Sequence, residues 1–231
     1  LWAGRQPSLE LFDILKPHMI DLAKSGSLEK RGHAETLSAM LLSAWAFTDD
    51  KTGQRWVSDS ELRGILLASS DDLRSRMLWQ ISRWSSESWK TEDSKDATKG
   101  QKLDWPALLL SLMRDVWPRQ MAAKSPTVSA RMCDLVFDHE EVFEELAAVV
   151  IPLLTKIEGT RISLPSLRRS KNNVVDKHPE LVLSMLYAIL SDDARRWPHG
   201  MDGTIDRLSG ADSALNNDER LIELRRRRDS R

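Results

Sequence analysis

Five histidines, His18, His33, His139, His178 and His199, are the natural starting points for metal or acid–base chemistry. No two stand four apart, the spacing that lets two imidazoles share one zinc ion on a helix face. His139 lies in Asp138-His139-Glu140-Glu141, a set of metal-ligating types, but the same residues make an acidic first turn that complements a helix dipole, and the spacing favours that helix start. The carboxylate pairs Asp71/Asp72 and Asp192/Asp193 stand where helices begin and read as caps. The 10 glycines are scattered, forming neither a Gly-x-Gly-x-x-Gly turn nor a Gly-Lys-Ser/Thr phosphate loop. There is no Gly-x-Ser-x-Gly elbow to expose a nucleophilic serine. Cys133, the one cysteine, excludes an internal disulfide and a Cys-rich zinc site, and its helical setting reads as a packed thiol. The expectation is a segment with no catalytic residue, no metal and no cofactor.

What remains is suited to binding. Arg168, Arg169 and Lys171, followed by Asn172 and Asn173, form a basic loop that can hold phosphate through guanidinium forks and amide donors, or else stand as a solvated loop paired with acidic neighbours. Arg225, Arg226, Arg227 and Arg228 form a second basic run near the C-terminus, mixed with Glu219, Glu223 and Asp229, and read as a solvated helix end. Nine tryptophans stand against one tyrosine, three of them before proline at Trp105, Trp117 and Trp197. Trp45, Trp79 and Trp84 lie in apolar helical patterns and read as core. Trp89 stands in a polar stretch, where it is either a partner contact or folds back onto the domain.

The elements that must position these residues are helices. Phe12, Leu15, Met19 and Leu22 recur at helical spacing after Ser8, with Pro17 as a kink. Leu37, Met40, Leu41, Ala44 and Trp45 share a face over about 33–48. Ser58 and Glu61 have capping-box spacing before Leu62, Ile65 and Leu66, and Leu73, Met77, Ile81 and Trp84 continue the pattern. Asp104 caps a helix with Pro106 in its first turn, Asp138 and Glu141 repeat the capping spacing, and Pro179 opens a helix burying Val182, Met185, Leu186 and Ile189. No stretch alternates with period two as a strand would. The expectation is an all-α fold of roughly ten helices in antiparallel pairs, a HEAT-like helical array. It forms a single helical domain or array over 1–231, with a mobile polar loop at about 86–102. Leu37-Ser38-Ala39-Met40, Leu110-Ser111-Leu112-Met113 and Leu183-Ser184-Met185-Leu186 fall 73 residues apart and hint at stacked repeats.

Composition bounds the rest. The chain of 231 residues can bury a sizeable core, and length alone leaves one large domain or two small ones open. Lys plus Arg (34) nearly cancels Asp plus Glu (35), so a nucleic-acid contact would have to come from a local patch. No apolar run reaches the roughly 20 residues of a membrane span and no signal peptide opens the chain, which points to a cytoplasmic protein with no membrane partner. The start at Leu1, without methionine, suggests a piece of something longer.

Leu164-Pro165-Ser166-Leu167-Arg168-Arg169-Ser170-Lys171-Asn172-Asn173, then Asp176-Lys177-His178-Pro179-Glu180, then Asp218-Glu219-Arg220-Leu221-Ile222-Glu223-Leu224 carry a family likeness. So do Asp72-Leu73-Arg74, Leu78-Trp79-Gln80 and Trp84. On these residues the chain resembles an uncharacterised bacterial helical domain found at the C-terminus of large multidomain proteins. Some of those carry a sirtuin-like domain at the other end and are associated with antiphage defence. The resemblance implies that any NAD hydrolysis lies in a separate domain and that this segment is a non-enzymatic regulatory, sensing or assembly arm. Its partners would then be a protein, other domains of the same polypeptide, or further copies in a homo-oligomer. The alternative is a nucleic-acid-binding helical domain acting through the local basic clusters.

Overall fold

The structure is a computed structural model that describes residues 9–25, 31–48, 53–87, 103–119, 125–157, 164, 167 and 173–230. Among these there are eleven α-helices and no β-strand, so the fold is all-α. One isolated antiparallel bridge joins Thr48 and Arg55. The chain forms two compact units, 1–118 and 119–231.

The first unit holds α1 (Leu9–Ser25), α2 (Arg31–Ala46), α3 (Asp59–Ala68), α4 (Asp71–Glu87) and α5 (Trp105–Ser111). Its most extensive helix pairing is α2 on α4, with Leu37, Leu41, Leu42 and Trp45 buried from one and Leu73, Met77, Leu78 and Ile81 from the other. Arg76 of α4 reaches Glu35 of α2 at 3.2 Å on the rim of this pair. The connection from α2 to α3 is tied down tightly. Gly53 takes φ +66, a conformation costly for other residues, and the Val57 N–H donates to the Ala44 carbonyl at 3.0 Å. Trp45, fully buried, donates its indole N–H to Asp59 Oδ1 at 2.7 Å, while Arg55 lies over the same ring and pairs with the same carboxylate at 2.8 Å.

The capping box read at Ser58 and Glu61 is present, each side chain meeting the other's backbone N–H. Asp104 likewise caps α5 by accepting from the Ala107 N–H at 3.2 Å, with Pro106 in the first turn. Beyond Ser111 the helix widens into a π turn, Leu112–Val116, because Trp117 precedes Pro118 and is held extended, so the helix must end there. Arg63 of α3 donates to the Asp115 carbonyl of that turn.

The second unit holds α6 (Pro126–Asp138), α7 (Phe143–Val150), α8 (Val174–Lys177), α9 (Pro179–Ile189), α10 (Met201–Ala211) and α11 (Glu219–Asp229). Helix α9 is the hub, packing on each of the other five with Val182, Leu183, Met185, Leu186 and Ile189 buried. Pro179 starts it as its spacing predicts. Helix α6 is buried nearly from end to end, and Phe137 at its close stacks near Phe143 at 6.0 Å, which in turn stacks on His178 at 5.2 Å.

Three local readings change. Asp138 is the last residue of α6 and not a cap, and His139 turns inward at 5% exposure with Nδ1 2.8 Å from the Leu135 carbonyl, because burial of Phe137 carries α6 as far as Asp138; Glu140 and Glu141 stand in the 3-10 turn that leads into α7. Trp79 and Trp84 are half-buried: Arg83 lies over the Trp79 ring at 5.6 Å, and Trp84 meets Trp105 at 6.2 Å. The three segments spaced 73 residues apart take different settings: one inside α2, one straddling α5 and the π turn, one inside α9. Helix α4 runs to Glu87, and the rest of the polar loop read at about 86–102 lies outside the described residues.

Candidate functional site

Of the residues expected to bind, Asn173 is described; Arg168, Arg169, Lys171, Asn172 and Trp89 lie outside the described residues. What can be placed is the frame around the basic loop. On its N-terminal side the Ile157 N–H donates to the Ile189 carbonyl at 2.8 Å, tying the chain to the end of α9. Leu164 and Leu167 are both buried, so the residue immediately before Arg168 is anchored in the core of the second unit. On the C-terminal side Asn173 is exposed and occupies the N-cap position of α8, its carbonyl accepting from the N–H groups of Asp176 and Lys177 at 3.0 Å. The short helix α8 follows from Val174 and Val175, which are buried.

The charges beside this frame are internally paired. Asp176 receives a two-pronged contact from Arg207, with Nε at 2.8 Å, and this guanidinium holds its carboxyl below the ordinary value. Lys177 pairs with Glu140, and His178 Nδ1 lies 3.0 Å from Glu144. The stretch Asp176-Lys177-His178-Pro179-Glu180 is therefore a clasp joining α8 to α7, α9 and α10. Arg220 extends it: the guanidinium forks onto Asp218 at 2.6 and 3.0 Å and reaches Ser184 Oγ at 2.7 Å, while Asp218 caps α11 by accepting from the Arg220 N–H at 2.8 Å. The Arg220 contact holds the Asp218 carboxyl low.

Of the terminal arginines Arg226 stays exposed, as a solvated helix end would have it, while the other three are buried or half-buried. Arg225 reaches Ser209 and, at 2.9 Å, Asn216; Arg226 forks onto Glu223 at 2.7 and 2.8 Å; Arg228 pairs with Asp206 at 2.7 Å. Arg227 is buried, its Nε 2.8 Å from Glu223, its Nη2 2.9 Å from Asp192 and its guanidinium over the Tyr187 ring at 5.5 Å. Arg226 and then Arg227 hold the Glu223 carboxyl at about 2, and Lys156, with Arg227 behind it, holds Asp192 low. A run of four arginines read along the sequence misses this, because the acids it meets come from 192, 206 and 223.

Cys133 is fully buried and burial pushes its thiol well above the ordinary value, so it is no nucleophile as placed. Among the described residues no three of His, Cys, Asp and Glu converge in a way that holds a metal ion. Also among them, no helix is long and apolar enough to cross a membrane.

The residue with a structural role that spacing alone did not expose is Arg74. It is 4% exposed and donates to the Leu66 carbonyl at 2.8 Å, to Ser69 at 2.5 Å and to Asp71 at 2.6 Å, capping the C-terminus of α3 from the first turn of α4. It falls in Asp72-Leu73-Arg74, so the one available signal was the family likeness.

Together these features define an all-α scaffold whose polar networks hold short loops in place. No family model matches the chain, and no solved structure matches it. Over 209 residues it is 23% identical to "Uncharacterized protein y4cA" of Sinorhizobium fredii (strain NBRC 101917 / NGR234), an alignment covering 89% of this chain and 17% of that protein. The chain thus spans less than a fifth of the length of the relative it matches.

Proposed function

We propose that this chain is a non-enzymatic helical interaction or regulatory module of a larger bacterial cytoplasmic protein. The observation that carries the reading is the alignment of nearly the whole chain with a small part of a much longer protein. The buried Leu164 and Leu167 and the helix-capping Asn173 that flank the basic stretch support it, since binding residues often sit beside rigid elements. On the family likeness, we take the parent to be an antiphage defence protein, with this segment as its sensing or assembly arm and a protein, a neighbouring domain or another copy as its partner. Catalysis, including any NAD hydrolysis, is assigned to a different part of the parent.

The test compares the parent polypeptide with and without this segment. Deletion should abolish assembly, read by size-exclusion chromatography with light scattering, or protection against phage. The isolated segment should turn over neither NAD nor nucleotide nor nucleic acid. Turnover by the segment, lost on a point mutation within it, would overturn the reading.

A nucleic-acid-binding role is the second reading, and the burial of Leu164 and Leu167 just ahead of the basic stretch favours it at that site. Alanine at Arg168, Arg169 and Lys171 should then weaken binding and flatten its salt dependence.

A further inference from the structure

The C-terminal helix is held in an unusual way. Helix α11 buries only Leu221, Leu224 and Arg227, whereas α9 buries five apolar residues, and Ile222 faces outward at 49% exposure. Most of its remaining attachment is polar: Arg220 to Ser184, Arg225 to Ser209 and Asn216, Arg227 to Asp192, Arg228 to Asp206. Pairs between partly exposed charges weaken with salt and yield to denser anionic charge. One donor is also left unmet. Nη1 of Arg227 is buried and has no hydrogen-bond partner among the described residues, although Nε and Nη2 of the same guanidinium are paired. Lifting the helix would give that donor water or phosphate.

We propose that α11 is an electrostatic latch over a concealed polyanion site: Arg225, Arg227 and Arg228 are held by other elements of the second unit while the helix is docked, and together with the exposed Arg226 they engage a single-stranded nucleic acid when it lifts. In the docked state Arg225 and Arg228 meet partners outside the helix and Arg227 meets Asp192 as well as Glu223 of its own helix, while Arg226 pairs along the helix with Glu223. Freed, they offer guanidinium forks that match successive phosphates of a flexible backbone. The site is distinct from the basic loop at 168–171 and does not depend on it.

The experiment uses the full chain and a fluorescent single-stranded oligonucleotide, read by anisotropy at low salt, with amide hydrogen exchange of α11 and α9 followed in parallel. D192N/D206N removes two of the cis partners. It should speed exchange in α11 more than in α9 and tighten oligonucleotide binding roughly tenfold. Adding R225Q/R226Q/R227Q/R228Q to D192N/D206N should abolish the gain. E141Q/E145Q, which removes the same charge from exposed positions on and just before α7, should leave binding unchanged. The proposal is overturned if D192N/D206N loosens α11 without tightening binding, if it leaves α11 exchange unaltered, or if E141Q/E145Q gives the same gain.

Discussion

Arg74 Nε donates to the carbonyl oxygen of Leu66 across the turn between α3 and α4 at 2.8 Å, with both groups buried. The same guanidinium serves Ser69 and Asp71, so one side chain satisfies carbonyls that a helix end otherwise leaves without partners. Arg74→Ala removes all of these at once and strands buried acceptors, and should cost about 2–4 kcal/mol. Arg74→Lys should recover less than half, since an ammonium cannot reproduce the planar fork. Urea denaturation of the two variants checks both values. A loss under about 0.5 kcal/mol for Arg74→Ala would remove the capping role.

Two glycines should respond oppositely to alanine. Gly64 lies inside α3 with open space where a Cβ would stand, so Gly64→Ala should stabilise by about 0.5–1 kcal/mol through helix propensity and a less flexible unfolded chain. Gly53 also has open space, but its φ of +66 is one that L side chains rarely adopt, and Gly53→Ala should destabilise by about 1 kcal/mol. Thermal melts of the two variants should move in opposite directions.

Cys133 should be inert in the native protein. Its thiol is fully buried and burial holds it in the protonated form, so a chromogenic disulfide reagent should react at the rate of unfolding and not at the rate of an exposed thiol. Reaction within seconds in the absence of denaturant would contradict this placement.

Stability should fall in acid, with a definite sign. Asp176, Asp192, Asp218 and Glu223 have carboxyls held below their ordinary values by Arg207, by Lys156 and Arg227, by Arg220, and by Arg226 and Arg227 respectively. Burial alone would raise Glu61, but hydrogen bonds from Lys16 and Ser58 outweigh it and lower it too. A group with a depressed folded pKa contributes fully above its unfolded value and loses that contribution as pH falls through the folded one. The loss should therefore begin near the ordinary carboxylate values of 3.8 for Asp and 4.5 for Glu and extend to about 2, where Glu223 titrates. Urea midpoints across that range check it, and Glu223→Gln should flatten the lowest part of the curve.

Features set by neighbours along the chain were legible in the sequence. Ser58 with Glu61, Asp104 with Pro106, and Pro179 ahead of Val182, Met185, Leu186 and Ile189 each specify a helix start or a buried face within a few residues, and each is present. Features set by tertiary partners were not. The acids around His139 look like a helix start, and Glu140 and Glu141 do stand in the turn that leads into α7, but only the packing of Phe137 on Phe143 shows why Asp138 closes α6 instead of capping that turn. Arg227 looks solvated until Asp192, 35 residues earlier, is seen beside it. The basic loop was legible as a charge pattern, but its anchoring depends on Leu164 and Leu167 finding the core, which no spacing rule encodes.

The meeting of Trp84 and Trp105 has one more consequence. These indoles stand near the end of α4 and at the start of α5, so the tilted contact of their rings does what a short connection would otherwise have to do. Closing a loop costs only slowly more as it lengthens. The contact thus holds the end of α4 against the start of α5 by itself, so Trp84→Ala should loosen the start of α5 more than it loosens α2.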